Sequence, residues 1–316
     1  MMSQRNIGLL LLAAALVAPW VAYPVFLMTA LCFALFACAF NLLLGYAGLM
    51  SFGHAMFFGI SAYFFGHVVK AWGMPPELGI LAGVGGAAAL GLVTGALAIR
   101  RQGIYFAMIT LAFAQMVYFI CVQVPFTHGE DGLQGIVRQP LLFGLIPTKD
   151  DRVLYYVVLA IFLFGYGVIY RIIHSPFGQV LKAIRDNEQR ALSLGYEADR
   201  YKLLAFVLSA ALSGLAGATK AMVLQFATLT DVSSGMSGEV VLMALVGGLG
   251  TIIGPVVGAF VIVTMQNYLA SLGEFVLVIQ GLIFVVIVMA FRKGLVGELG
   301  DWWKRRRLSL KPERQP

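Results

Sequence analysis

The sequence predicts an all-α polytopic membrane protein, and three observations carry that reading. Of its 316 residues, 60% are hydrophobic and only 12% charged, with a mean hydropathy of +0.88. About a quarter of the residues in an ordinary soluble domain are charged. The apolar residues are gathered into runs of the roughly twenty needed to cross a bilayer. The net charge is +7, and the basic residues lie beside those runs and in the tail after Arg292. Such a placement anchors loops on the cytoplasmic side and does not form a nucleic-acid surface.

The expected architecture is one transmembrane domain over 1–316 with about eight full helices and one glycine-broken hairpin. Arg5 precedes the first span, Ile7 to Tyr23, where Pro19 interrupts the region a cleavage site would need, so the segment reads as a retained span. A second span follows from Val25 to Leu44, with Pro24 between the two. Gly45, Gly48, Gly53 and Gly59 stud the third, Gly45 to Val69. The fourth, Gly79 to Ile99, is rich in small residues suited to close helix packing and ends at Arg100-Arg101. A fifth, Gly103 to Val124, leads to a loop in which Glu130, Asp131, Asp150 and Asp151 outweigh Arg138, Lys149 and Arg152. By the positive-inside bias that loop lies outside. The sixth span, Val153 to Ile173, completes the N-terminal block 7–173.

Residues 174–202 form a polar island. Ser175 before Pro176 is a helix start, Val180, Leu181 and Ile184 share one face, and Asp186 and Asn187 can cap a second turn bearing Glu188, Arg190, Ala191 and Leu192. That turn stops at Gly195, a residue suited to a left-handed helix end. An apolar stripe with a charged rim is the form of an element that docks on a soluble partner; a loop that only holds orientation would need lysines and arginines but not caps.

The C-terminal block, 203–291, begins with a span from Leu203 to Leu224. The basic tail 292–316 demands a cytoplasmic end, which a single crossing at Gly238 to Met265 would not give. A re-entrant or discontinuous hairpin over 238–265, broken at Gly247, Gly248 and Gly250 and at Gly254-Pro255, restores the parity before the last span, Phe275 to Phe291. Both termini are then cytoplasmic. Irregular backbone at membrane depth is tolerated where it is buried in protein or lines a wet cavity, so Gly247, Gly248, Gly250 and Pro255 become pathway candidates. The two glycine-broken segments, read as entering from opposite sides, suggest an inverted repeat.

Polar groups inside spans are costly and mark function by default. Asn41, His54 and Gln115 are pathway candidates on this ground. His54 could face a cavity or bond a neighbouring carbonyl. Glu239, at the hairpin mouth, could attract a charged solute or fasten the hairpin to its neighbour. Lys220 is expected to snorkel to the membrane surface. Cys32, Cys38 and Cys121 have no C-x-x-C spacing and the four histidines are scattered, so no metal or disulfide framework is implied. No nucleophile–base set supports an enzyme. The chain has no G-x-x-x-x-G-K-[ST] loop to hydrolyse ATP and few acids deep in spans to relay ions. Energy from outside the chain is therefore favoured over the alternative, an autonomous ion-coupled carrier or channel.

Several stretches resemble the permease subunits of branched-chain amino acid ABC importers: Asn41-Leu-Leu-Leu-Gly-Tyr-Ala-Gly-Leu-Met-Ser-Phe-Gly-His54, Gly103 to Gln115, Ala183-Ile-Arg-Asp-Asn-Glu188, Arg200 to Phe206, and Gly247 to Ala259. The resemblance implies a multi-pass protein of a prokaryotic inner membrane that pairs with a homologous second permease, docks two cytoplasmic ATPase subunits and receives solute from an extracytoplasmic binding protein. ATP would be used by those partner subunits, with no cofactor bound directly. Glu188, Ala191 and Gly195 match the family's coupling pattern, although no Leu-Pro pair follows the glycine, and Arg190 and Leu192 belong to the same helix. Thr127-His-Gly-Glu-Asp-Gly-Leu133 resembles a family segment with His128 where glycine is more usual. It offers Glu130 and Asp131 as binding-protein contacts; the plainer reading is an Asp-Gly turn.

Overall fold

The computed structural model describes residues 15–20, 22–141, 148, 150–269, 275–290 and 294–298. Most of the first predicted span and most of the basic tail lie outside them. The chain folds as α1 (Pro24–Asn41), α2 (His54–Lys70), α3 (Pro76–Ala98), α4 (Ile104–Gln123), α5 (Asp151–His174), the short α6 (Pro176–Asp186) and α7 (Glu188–Ser193), α8 (Ala198–Leu224), α9 (Ser234–Gly247), α10 (Gly254–Leu269) and α11 (Phe275–Ala290). The β-structure among the described residues is a two-residue antiparallel ladder, β1 (Leu133–Gln134) on β2 (Phe226–Ala227).

Five of these helices, counting the extension of α1 to Ala47, are long and apolar enough to cross a membrane. The expected hairpin is present as two shorter legs, α9 and α10. At 14 and 16 residues they reach about 21 and 24 Å at 1.5 Å per residue, less than the roughly 30 Å hydrocarbon core. The expected third span differs from its reading. Gly45 belongs to a π-helical turn, Leu42–Ala47, that prolongs α1, and α2 starts only at His54 after a six-residue break. Pro24 is no turn residue but opens α1 at its first position, where the missing N–H has no partner to lose.

Every residue from Ala30 to Leu43 is buried, so α1 is the axis of the fold. It is apolar all round, which suits a helix enclosed on every side. α8 packs on α1, α2 and α3, the α9–α10 pair lies against α1, and α5 also packs on it. α4 is peripheral and presents Ile104, Tyr105, Met108 and Phe119 outward. The α2–α3–α8 contacts depend on small residues. A Cβ at Gly217 would lie 1.9 Å from the Phe58 carbonyl oxygen, and one at Gly91 would lie 2.6 Å from Ala210 Cβ, while Gly85 faces open space.

Gly217→Ala should therefore lower the thermal transition of the detergent-solubilised protein by an amount corresponding to about 1–3 kcal/mol of overpacking. Gly85→Ala should leave it unchanged or raise it slightly through helix propensity. Equal transitions for both variants would refute this packing.

Candidate functional site

Two breaks in helical backbone meet at the end of the molecule that carries the polar island. The first, 48–53, lies between the π turn and α2; the second, 248–253, joins α9 to α10. Each begins with a glycine at positive φ, Gly48 at 72° and Gly248 at 116°, a conformation that L side chains rarely take. Each also carries a hydroxyl that serves the helix after it: Ser51 Oγ accepts from Gly53 N at 3.2 Å and Thr251 Oγ1 from Gly254 N at 3.1 Å. Pro255, next to Gly254 at the start of α10, is buried.

Asn41 joins the breaks. Its Nδ2 donates to the Thr251 carbonyl at 2.9 Å, and its Oδ1 accepts from Gly250 N at 3.0 Å. One side chain thus satisfies a donor and an acceptor that leave the helical ladder at the hairpin tip, where unpaired groups would be expensive. The glycines permit the approach: a Cβ at Gly45 would sit 2.7 Å from Gly250 N, and one at Gly247 would sit 1.9 Å from the Gly254 carbonyl oxygen. At the other end of the hairpin, Glu239 on α9 interacts with Gln266 on α10, a contact between the hairpin's own two legs.

The island folds as its caps dictate. Ser175 Oγ accepts from Gly178 N, Asn187 Oδ1 accepts from Arg190 N, and Gly195 has φ of 87°. It is bolted to the core. Leu181, Ile184 and Ala191 are buried, and Ala191 packs with Ile184 and Ala198. Ala191 therefore fills the island's own seam. Glu188 Oε1 accepts from Lys202 Nζ at 2.5 Å and from Gln102 Nε2 at 2.9 Å. Its side chain is 22% exposed and that of Lys202 4%, so Glu188 ties α7 to α8 and to the α3–α4 link. What faces outward is Arg190, together with Leu192 at 52% and Leu194 at 71% exposure. Arg185 Nη1 donates to the Gly45 carbonyl at 2.6 Å.

At the opposite end, Lys220 is no snorkelling residue. Its Nζ lies 2.6 and 2.7 Å from the two carboxylate oxygens of Asp231, both side chains being buried. Asp231 also accepts from Thr228 N and Oγ1. Arg138 bonds Asp151 and the Val223 carbonyl. Glu130 and Asp131 sit in an exposed 3₁₀ turn, Gly129–Asp131. His128 before it has φ of 59°, which gives a physical reason for glycine at that position.

The sequence candidates thus fall into separate groups. Asn41, Gly247, Gly248, Gly250 and Pro255 gather around the breaks. His54 is buried between α1, α2 and α8: its Nε2 is 2.8 Å from Ser209 Oγ, which donates to the Ala39 carbonyl, and its ring meets Phe40, Phe57 and Phe206 edge-on. Its partner is a hydroxyl, neither a cavity nor a backbone carbonyl. Gln115 is half-buried on α4, beyond Thr110 of the same helix, whose hydroxyl accepts from Phe52 N in the first break. Sequence reasoning missed Arg185, Lys202, Gln102 and Asp231. A lysine inside an apolar span requires a counter-charge, and that signal could have found both Asp231 and Glu188 as partners.

Removing one partner of a largely buried ion pair strands the other charge. Glu188→Gln should cost about 3 kcal/mol on this ground, read as a lowered thermal transition. Glu188→Gln combined with Lys202→Met should recover most of the loss, and a double variant no more stable than the single would refute the pairing.

Residues 23–288 match the family described as "Branched-chain amino acid transport system / permease component". The high-affinity branched-chain amino acid transport system permease protein LivM of Escherichia coli (strain K12) is 27% identical over 283 residues, covering 81% of this chain and 65% of LivM. The chain thus matches slightly less than two thirds of that relative's length. The ribose import permease protein RbsC of Bacillus subtilis (strain 168) is 33% identical over 141 residues, 41% of this chain and 43% of RbsC. The probable branched-chain amino acid transport permease protein LivH of Methanocaldococcus jannaschii is 26% identical over 166 residues, 48% of this chain and 49% of LivH. No solved structure matches the chain significantly. A match over most of its length, through both breaks and the island, makes the chain a multi-pass membrane protein of the branched-chain amino acid transport permease family.

Proposed function

We propose that the protein is the membrane-spanning subunit of an ATP-driven importer of branched-chain or related amino acids. The observation that carries this is the island. Its caps, Glu188 and its buried residues are spent on the chain itself, yet Leu192 on α7 and Leu194 just past its end are left outward. Exposed leucines on a capped, rigid surface helix suit insertion into a groove of a soluble partner, and the partner of matching role is a cytoplasmic ATPase subunit. The island end is then cytoplasmic, as are both termini. The opposite end, with Glu130, Asp131 and an open depression of about 500 Å³ beside β2, faces an extracytoplasmic solute-binding protein. A homologous second permease supplies the rest of the pathway, since the α1–α2–α3–α8 core is packed solid by small residues. No cofactor is bound by this chain, and the ATP is consumed by its partners.

Reconstitution with and without the ATPase and binding-protein subunits tests this reading. Uptake of leucine should require all of them. Leu192→Asp and Leu194→Asp together should abolish ATPase copurification with no loss of thermal stability, both residues being outside the core. Uptake by the chain alone on an ion gradient would instead identify an autonomous carrier. Single cysteines at Leu194 and Glu130 should be labelled by impermeant reagents from opposite sides of the membrane, Glu130 from outside.

A further inference from the structure

The island is fastened to the membrane core at two points that differ in kind. Glu188 reaches the buried Lys202, a bond that cannot open without stranding a charge. Arg185, three residues earlier, reaches the other way, to the π turn and the first backbone break after it. Its Nη1 donates to the Gly45 carbonyl at 2.6 Å, and its stem covers Gly48, where a Cβ would lie 2.7 Å from Arg185 Cγ. Gly45 is itself pressed against Gly250, and Gly250 is held by Asn41. A path of direct contacts therefore runs from α6 through Gly45 and Gly48 to the tip of the α9–α10 hairpin.

A π turn leaves carbonyls without helical partners, and a cation at such an end is a common cap. Two features give Arg185 more than that role. Its Nε and Nη2 both donate to Asp186, the next residue on its own helix, at 3.1 and 2.9 Å. The guanidinium is thus aimed from the island side and travels with α6. Its side chain is 38% exposed, so on release it would be hydrated and still paired with Asp186. The bond to Gly45 can open and close reversibly, whereas the bonds of Lys202 and Lys220 cannot.

We propose that Arg185 is a positioning residue that latches the island to the first backbone break and, through Gly45, to the second, so that displacement of α6 changes how the breaks meet. This rests on the reading that the island is where an ATPase subunit acts, and it adds which bond carries the displacement inward.

The test uses the full importer in proteoliposomes. Cys32, Cys38 and Cys121, all free and buried, are first replaced by alanine. Cysteines at positions 48 and 185 would then have Cβ atoms 3.5 Å apart, within disulfide range. Oxidation of Gly48→Cys/Arg185→Cys should reduce uptake at least tenfold below that of the same variant kept reduced, with the ATPase subunits still bound, and a reductant should return uptake to the reduced variant's level, itself below wild type because Arg185 is gone. Because Gly48 has positive φ and its substitution can impair folding, Arg185→Gln and Arg185→Lys provide an independent arm. Arg185→Gln should keep ATPase copurification and hydrolysis within about twofold of wild type while solute moved per ATP falls at least fivefold, and Arg185→Lys should recover part of that ratio. Normal uptake by the cross-linked protein would overturn the latch. So would an unchanged transport-to-hydrolysis ratio in Arg185→Gln, or loss of both activities in proportion to loss of folded protein, the mark of a simple cap. A wild-type complex that neither binds ATPases nor transports would sink the importer reading and the latch with it, an outcome distinct from failure of the variants alone.

Discussion

The structure depends on one constraint, the need to satisfy backbone polar groups where helices stop inside apolar surroundings. Two chain segments break within the bundle, and each break frees N–H and C=O groups that lipid cannot solvate. Ser51, Thr251 and Asn41 answer most of this need with short side chains, and glycines let the two tips come together. Asn41 acts on the other break, some 210 positions away in sequence. A long-range hydrogen bond of this kind fixes the register of the hairpin against α1 more firmly than apolar packing could, because sliding by one residue would orphan a buried donor and an acceptor together.

The gross fold was legible in the sequence because apolar run length, charge placement and parity are properties of the linear chain. The hairpin emerged from parity together with its glycine cluster and Gly254-Pro255, and the island from Ser175, Asn187 and Gly195, whose capping chemistry is local. What the linear chain could not reveal was which distant side chains meet. Glu188 looked like a rim charge until Lys202 and Gln102 were seen on it, and Ala191 looked like a partner contact until Ile184 and Ala198 enclosed it. Both breaks were visible as glycine clusters, yet their contact through Asn41 was not, since nothing local distinguishes a bridging asparagine from one that lines a pathway.

The same distinction separates the residues that hold the molecule together from those free to meet partners. Lys202, Glu188, Lys220 and Asp231 spend their charge within the chain. Leu192, Leu194, Glu130 and Asp131 do not, and they lie at the two ends of the bundle. Function in such a protein is concentrated where the chain leaves groups unspent, and that pattern becomes readable only once the internal pairs have been assigned.

The two anchored lysines of α8 have a further consequence. Lys202 and Lys220 lie 18 positions apart on one helix, about 27 Å at 1.5 Å per residue, and each is pinned by an acid from a neighbouring segment. Their spacing sets two buried ion pairs nearly one hydrocarbon thickness apart along a single helix, each enclosed by protein. The helix thus carries its charges where neighbouring segments, and not lipid, surround them, and each end of it is tied by a charge to a different segment of the chain.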